Sequence, residues 1–288
     1  MKKQLTLLAL GGVFTLSPLS FVHQALAQSE IKQNTPRGVI ENVGGVQIHW
    51  SEGVIRVTGV GAPPDRGNLS QKRLLAERAA LSDAYRQLTE ALNGVKVNAE
   101  TIVRDYIIES DIIKTKVTGL IQGAQKVDQR YLSDDSVEVD MILKLHGKEG
   151  LNGILQPQKN HAPPPTSELK PEKIETLWTS VIVDCRGLNV KPAMSPAILA
   201  QSGGEVYIGN LKIDPDFVIE EGIVSYSRSL MDARVNKRAG RKPLIIKAVS
   251  GSGTFRTDVI IEDKDGEILL GLQKQFKLLE KAKVIFVL

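Results

Sequence analysis

The sequence predicts an α+β protein, in which a small antiparallel sheet with helices on one face is followed by a second domain of mixed α/β structure. Segments of alternating apolar residues lie on both sides of a long helical segment in the first half of the chain. Short apolar strands interleave with helical segments in the second half. A proline-rich stretch without either pattern separates the two halves.

The N-terminus has the features of an export signal. Two lysines precede an apolar run, which ends in an A-x-A cleavage site formed by Ala25 and Ala27. We therefore expect residues 1–27 to be a signal peptide and Gln28 to be the first mature residue. Loss of the two lysines lowers the formal net charge from +4 to +2, so the charge gives little reason to expect nucleic acid as a partner.

The first domain is predicted over residues 46–147, after a loosely ordered segment at 28–45. Residues 46–50 and 54–60 are apolar at alternate positions and are separated by a Ser-Glu-Gly turn, which predicts a hairpin. A second hairpin closes the domain. In its last strand the apolar side chains alternate with polar ones and should face the core; they are Val137, Val139, Met141, Leu143 and Leu145.

A helix is predicted from about residue 69 to residue 93, with Ser70 as its N-cap and Gly94 as its stop. It follows VTGVGAPP, and this order of strand, glycines and helix is that of a phosphate-binding loop. Pro63 and Pro64 lack the N–H groups that a phosphate needs. We therefore expect a structural connection here and no bound nucleotide. Residues 99–123 are predicted to be helical or mixed.

Residues 148–175 are predicted to be a linker, because five of the thirteen prolines lie between Pro157 and Pro171. The second domain follows at 176–288. Its predicted strands are SVIVDC, the hairpin AILAQSGGEVYIG, PLIIKAV, DVIIE and VIFVL. Its predicted helices are IVSYSRSLMDARVNKR and EILLGLQKQFKLLEKA, and this interleaving favours a mixed sheet.

The histidines and the single cysteine give no catalytic or metal-binding motif. The four histidines are scattered and none belongs to an H-x-x-H pair, so we predict no metal site. Cys185 has no histidine in its domain to act as a base, and we expect a small, partly buried thiol. We predict no catalytic residue and no cofactor.

One basic cluster has a candidate binding role. No acidic residue interrupts RVNKRAGRKP, which could contact an anionic surface such as lipid headgroups or an acidic partner. A solvated helix end is the other interpretation. Aromatic residues that could stack on bases are not interleaved, so we do not expect nucleic acid. The candidate contact residues are Arg234, Lys237, Arg238, Arg241 and Lys242.

The first domain resembles the Lpp-twenty-type lipoprotein family and, more loosely, the N-terminal domain of flagellar assembly protein T. The likeness lies in VTGVGAPP, LLAERAALSDAYRQLTEALNGVKV, DIIKTKVTGLIQGAQKV and VEVDMILKL. The resemblance implies an exported cell-envelope protein without assigned catalytic residues, in a family with some members tied to flagella. The chain departs from the family because no lipobox cysteine follows the cleavage site. We therefore expect a free periplasmic or secreted protein.

The expected function is a non-enzymatic binding or scaffolding role in a bacterial envelope, with an unknown envelope protein or surface as partner and with peripheral membrane contact as one option. The alternative is a periplasmic hydrolase with its site in the second domain. That site would combine Asp184 and Arg186 with one of three further carboxylates, and these are Asp214, Asp216 and Glu220.

Overall fold

The computed structural model describes residues 38–156, 169–208 and 213–288. Within these ranges seven helices and thirteen strands form the predicted α+β fold. The residues from Gly38 to Leu288 belong to one compact unit. The predicted signal peptide lies outside the described residues, as does most of the proline-rich stretch. The expected cleavage residues Ala25, Ala27 and Gln28 are therefore not placed by the structure.

A five-stranded antiparallel sheet forms the first part of this unit, with the order β1-β2-β3-β5-β4. The strands are β1 (Ile40–Val43), β2 (Val46–His49), β3 (Val54–Gly61), β4 (Gln125–Tyr131) and β5 (Val137–Lys144). The central pair β3–β5 is in register from Val54 opposite Lys144 to Gly61 opposite Val137. Both predicted hairpins are confirmed.

Three helices accompany this sheet. Helix α1 spans Leu69–Asn93, the predicted bounds, and is followed by α2 (Val103–Glu109) and α3 (Asp111–Gln122). The N-cap prediction was wrong by two residues, because Asn68 caps α1 instead of Ser70. The Gln71 N–H donates to the Asn68 side chain at 2.9 Å, and the Asn68 N–H donates to the Gln71 side chain at 3.1 Å. This reciprocal capping box satisfies two backbone donors.

Two glycines of VTGVGAPP allow α1 to lie unusually close to β3. A Cβ atom on Gly59 would lie 2.1 Å from the Ala80 carbonyl oxygen, and one on Gly61 would lie 2.0 Å from the Ala76 carbonyl oxygen. The helix meets the strand through small side chains, since Ala76, Ala80 and Ala84 are all buried. The glycines therefore serve helix–strand packing, in agreement with the expected structural connection.

Two short elements lie in segments that the sequence analysis left without structure. Strand β1 lies within the segment expected to be loosely ordered and pairs with β2. The Trp50 indole N–H also donates to Glu41 of β1 at 3.0 Å. Helix α4 (Leu151–Leu155) lies within the predicted linker, and Leu151 and Leu155 are buried. Strand β1 is thus held by its neighbour β2, whereas α4 also contacts a distant segment, since the Asn152 amide donates to the Val218 carbonyl.

The second part of the unit contains two four-stranded sheets. The parallel sheet has the order β10-β6-β13-β9, and the mixed sheet has the order β11-β12-β7-β8. The parallel strands are β6 (Ser180–Asp184), β9 (Ser225–Ser227), β10 (Pro243–Lys247) and β13 (Val284–Val287). The other strands are β7 (Ile198–Ala200), β8 (Glu205–Tyr207), β11 (Ser250–Ser252) and β12 (Asp258–Ile261). The helices are α5 (Pro215–Glu221), α6 (Leu230–Val235) and α7 (Asp263–Phe276).

The helix predicted over residues 223–238 is wrong in its first half. Strand β9 lies there and pairs in parallel with β13, and α6 begins only at Leu230. Tyr226 explains the difference, because its ring is buried and its hydroxyl bonds both backbone groups of Ala193, at 2.7 and 2.9 Å. Tertiary contacts thus override the local helical pattern.

The two sheet-bearing parts share a packed interface. The Met194 N–H donates to the Lys96 carbonyl at 3.0 Å. The Ser51 hydroxyl donates to the Tyr226 carbonyl at 2.7 Å. The rings of Trp50 and Tyr226 meet edge to face, with their centroids 5.8 Å apart. The predicted domains are therefore in direct contact, and the boundary between them stays a prediction.

Candidate functional site

The predicted basic cluster lies on the connection between β9 and β10. These strands are the two edges of the parallel sheet, so the connecting segment must cross the whole face of that sheet. Within it, Leu230 and Ala233 of α6 pack inward, in one apolar cluster with Ile182 and Ile285 of the sheet. The remaining side chains of α6 point away from this cluster, toward solvent.

Five cations are exposed along this connection. Among the described residues, the side chains of Arg228, Arg234 and Arg241 have no hydrogen bond or ion pair. Lys237 lies 3.3 Å from Glu221, and the Lys242 ammonium lies 5.0 Å from the centroid of the Trp178 ring. Surface pairs of this kind contribute little to stability, so most of this positive charge is available to a partner.

Two exposed apolar side chains of α6 lie in the same segment as these cations. Met231 is 78% exposed and Val235 is 81% exposed, more than any other large hydrophobic residue that the structure describes. They are four residues apart in α6 and therefore lie on the same side of it. We call the combined surface the 228–242 ridge, defined by Arg228, Met231, Arg234, Val235, Lys237, Arg241 and Lys242.

Arg238 is a correction to the predicted contact set, because only 3% of it is exposed. Its guanidinium donates to the carbonyls of Gly222 at 2.9 Å and Ala282 at 3.1 Å, and also to those of Glu221 and Ile223. Burial lowers the pKa of Arg238. Its role is to satisfy carbonyls at the end of α5 and before β13, and it is not available to an external anion.

Cys185 is buried, as expected. Burial and the neighbouring Asp184 charge raise the pKa of the thiol to about 12, so the reactive thiolate is disfavoured at neutral pH. Arg186 does not activate the thiol, since its guanidinium makes two hydrogen bonds of 2.8 Å to Asp184. These bonds hold the pKa of Asp184 below its usual range.

The residues proposed for a hydrolase are not brought together. Asp184 lies at the carboxyl end of β6, opposite Val287 at the end of the parallel strand β13. The backbone N–H of Asp214, the N-cap of α5, donates to the carbonyl of Glu280, which precedes β13. Asp184 and the start of α5 therefore lie at opposite ends of the sheet. The side chains of Asp214, Asp216 and Glu220 are exposed.

The histidines of the first part have separate surroundings. His49 lies 3.2 Å from the Gln47 side chain. The Asn152 amide donates to His146 Nδ1 at 2.7 Å and to the Val218 carbonyl at 3.0 Å. Burial, with the nearby charge of Arg238, lowers the pKa of His146 to about 4. Over the described ranges, no three His, Cys, Asp or Glu side chains are placed to hold a metal ion.

A carboxylate pair in the mixed sheet was missed by the sequence analysis. Burial and the charge of Asp258 raise the pKa of Glu205 to about 7. Burial raises the pKa of Asp258 to about 6, although its carboxylate accepts a 2.9 Å hydrogen bond from the Ala197 N–H. No local motif marks the pair, since the sheet joins strands distant in the sequence.

This pair predicts a pH dependence of stability that one substitution should remove. The pKa of Glu205 is higher in the folded protein than the ordinary 4.5, so the folded state binds more protons between these values. Its contribution to the free energy of unfolding therefore falls as pH rises through that window. We expect Glu205→Gln to raise the melting temperature at pH 8, where Glu205 is charged, and to change it little at pH 5.

The control for this measurement is Glu220→Gln, at an exposed position of α5, which should leave the melting temperature unchanged at both pH values. Because the pKa of His146 is lowered in the folded protein, its contribution to the free energy of unfolding rises with pH, opposite to that of Glu205. The quantity to compare is therefore the difference in melting temperature between variant and parent at each pH. An equal effect of Glu205→Gln at pH 5 and pH 8 would contradict the raised pKa.

The part of the chain that carries the ridge is similar to a known domain. Residues 180–288 match the family model described as the second domain of Treponema pallidum Tp0624. The match begins at the first residue of β6, so it covers both four-stranded sheets and none of the five-stranded sheet. A comparison with curated proteins finds no match. Separately, none of the described helices is long and apolar enough to cross a membrane.

Proposed function

We propose that this chain is an exported, non-enzymatic envelope protein that binds an anionic surface through the 228–242 ridge. One observation carries the proposal: five exposed cations lie within seven residues of the two most exposed large hydrophobic side chains of the described residues. Soluble proteins usually have single exposed apolar side chains. Apolar residues combined with a concentration of unpaired cations are typical of a surface that binds a partner.

The export signal and the family resemblance support the envelope location. Lys2, Lys3 and the Ala25–Ala27 site favour a periplasmic or secreted protein. The resemblance of residues 54–145 to the Lpp-twenty-type family favours the same compartment, and the looser likeness to flagellar assembly protein T is the basis for proposing a flagellar association. The matched domain of Tp0624 lies outside these residues and adds nothing to either point.

The packed interface between the two parts supports a scaffolding role. Because the ridge lies on the parallel sheet and that sheet contacts the first part through Tyr226, a surface bound at the ridge would hold the five-stranded sheet in a fixed orientation. The face of the five-stranded sheet opposite α1, where Thr58 and Val60 are exposed, would then remain free for a second partner. In this arrangement the protein links two components of the envelope.

The test is sedimentation of the purified mature protein with washed cell envelopes. The ridge variant combines Arg234→Glu and Arg241→Glu, and the control combines Lys114→Glu and Lys116→Glu, two exposed cations of α3. At about 1 kcal/mol per cation near an anionic surface, the ridge variant should bind at least roughly 30-fold more weakly. High salt should release the parent protein. Parent-like binding by the ridge variant, or equal loss in the control, would refute the proposal.

A further inference from the structure

We infer that the 228–242 ridge binds the surface of an anionic phospholipid bilayer, with Met231 and Val235 entering the boundary between headgroups and acyl chains. This inference rests on the proposed function and names the partner of the same surface. It commits to lipid and not to an acidic protein.

The orientation of α6 holds the exposed apolar pair outward. Leu230 and Ala233 fix its inner side against the parallel sheet, so rotation of the helix would expose apolar surface. Met231 and Val235 are thereby held outward, 78% and 81% exposed. An apolar pair held outward on a surface helix is the arrangement by which a protein inserts side chains a short distance into a bilayer.

The charge near this apolar pair is mainly positive. Arg228 precedes α6, Arg234 lies within it, and Lys237, Arg241 and Lys242 follow it. Cations thus precede and follow the apolar pair along the chain, and each would be attracted to the phosphates of anionic headgroups. Two acids lie nearby: the Asp232 carboxylate accepts a 2.7 Å hydrogen bond from the hydroxyl of Ser229, the N-cap of α6, and Glu221 pairs with Lys237. The net charge of the ridge remains positive.

A second exposed apolar pair elsewhere in the protein allows a comparison with the ridge. Ile108 and Ile112, at the junction of α2 and α3, are 75% and 70% exposed. Three acids and three bases lie within four residues of this pair, with Glu109 and Asp111 directly adjacent to it, so this position has no net positive charge to attract an anionic bilayer. Exposure alone is therefore similar at the two sites. The ridge combines this exposure with an excess of cations over acids and the α2–α3 junction does not, which provides a matched control within the same chain.

The experiment measures binding of the mature protein to sedimented vesicles. Phosphatidylcholine vesicles with and without phosphatidylglycerol are compared at low and high salt. The parent should bind only the anionic vesicles and should be released by salt. Met231→Asn with Val235→Asn should weaken this binding roughly tenfold or more, because apolar area then stays in water. Ile108→Asn with Ile112→Asn should change it less than about twofold.

Four results would overturn the inference. Equal binding to vesicles without phosphatidylglycerol would exclude recognition of the anionic headgroup. An equal effect of the two asparagine pairs would exclude insertion of the ridge. If the ridge is needed for binding to envelopes but the protein ignores anionic vesicles, the partner is an acidic protein, and only the lipid assignment fails. Loss of both kinds of binding would refute the proposed function as well. The melting temperatures of all variants, altered only at exposed positions, verify folding.

Discussion

Gly61→Ala is expected to destabilise the protein by more than about 3 kcal/mol. The added methyl group would lie 2.0 Å from the Ala76 carbonyl oxygen and 2.5 Å from the Ala80 backbone nitrogen. Both atoms belong to the backbone of α1, so no side-chain rotation relieves the contact and the 25-residue helix must move away from the sheet. Overpacking of an ordinary core costs about 1–3 kcal/mol, and a clash with helix backbone should exceed that.

The matched control is the same substitution at Gly119 of α3, where a Cβ atom would have no neighbour within 4 Å. Alanine is favoured over glycine inside a helix by about 1 kcal/mol, so Gly119→Ala should stabilise the protein. Urea denaturation of both variants measures the difference. If Gly61→Ala and Gly119→Ala change the unfolding midpoint in the same direction, α1 is not packed against β3 as described.

Arg238→Met should have the second largest effect, a loss of about 3–5 kcal/mol. The methionine fills a similar volume but leaves the carbonyls of Gly222, Ile223 and Ala282 without their donor. Removing one partner from a buried charged network typically costs this much. Arg238→Lys should lie between the parent and Arg238→Met, because one ammonium reaches fewer of the carbonyls than a guanidinium.

Arg241→Met provides the control for Arg238, since Arg241 is exposed and its substitution should change the unfolding free energy by less than about 0.5 kcal/mol. The two variants also separate stability from binding. We expect Arg238→Met to unfold easily, and we expect Arg241→Met to fold normally but bind envelopes more weakly. Equal stability of the two variants would contradict the buried position of Arg238.

The elements with repeating local patterns could be predicted from the sequence. The strands β3 and β5 alternate along their length, and α1 has a helical repeat of small and apolar residues over 25 positions. Strand β9 could not be predicted this way, because it has three residues and its central Tyr226 is fixed by Ala193. Strand β1 and helix α4 are similarly short, with four and five residues, so neither has a repeating pattern long enough to detect.

The candidate site could likewise be predicted from the sequence only in part. A run of basic residues located the ridge, but only the fold separates Arg238 from its neighbours, because its carbonyl partners come from other segments of the chain. The apolar pair was available from the sequence, since Met231 and Val235 are four residues apart in a helical segment. The pair of Glu205 and Asp258 had no sequence signal.

The most direct test of ridge-mediated binding is photo-crosslinking with a photoreactive amino acid at Val235, compared with the same group at Ile108. Both positions are exposed to a similar extent, and they differ in the charge around them. When the mature protein is irradiated on washed envelopes, we predict crosslinks to envelope components from position 235, with few from position 108. Crosslinks from position 108 and none from position 235 would contradict the account.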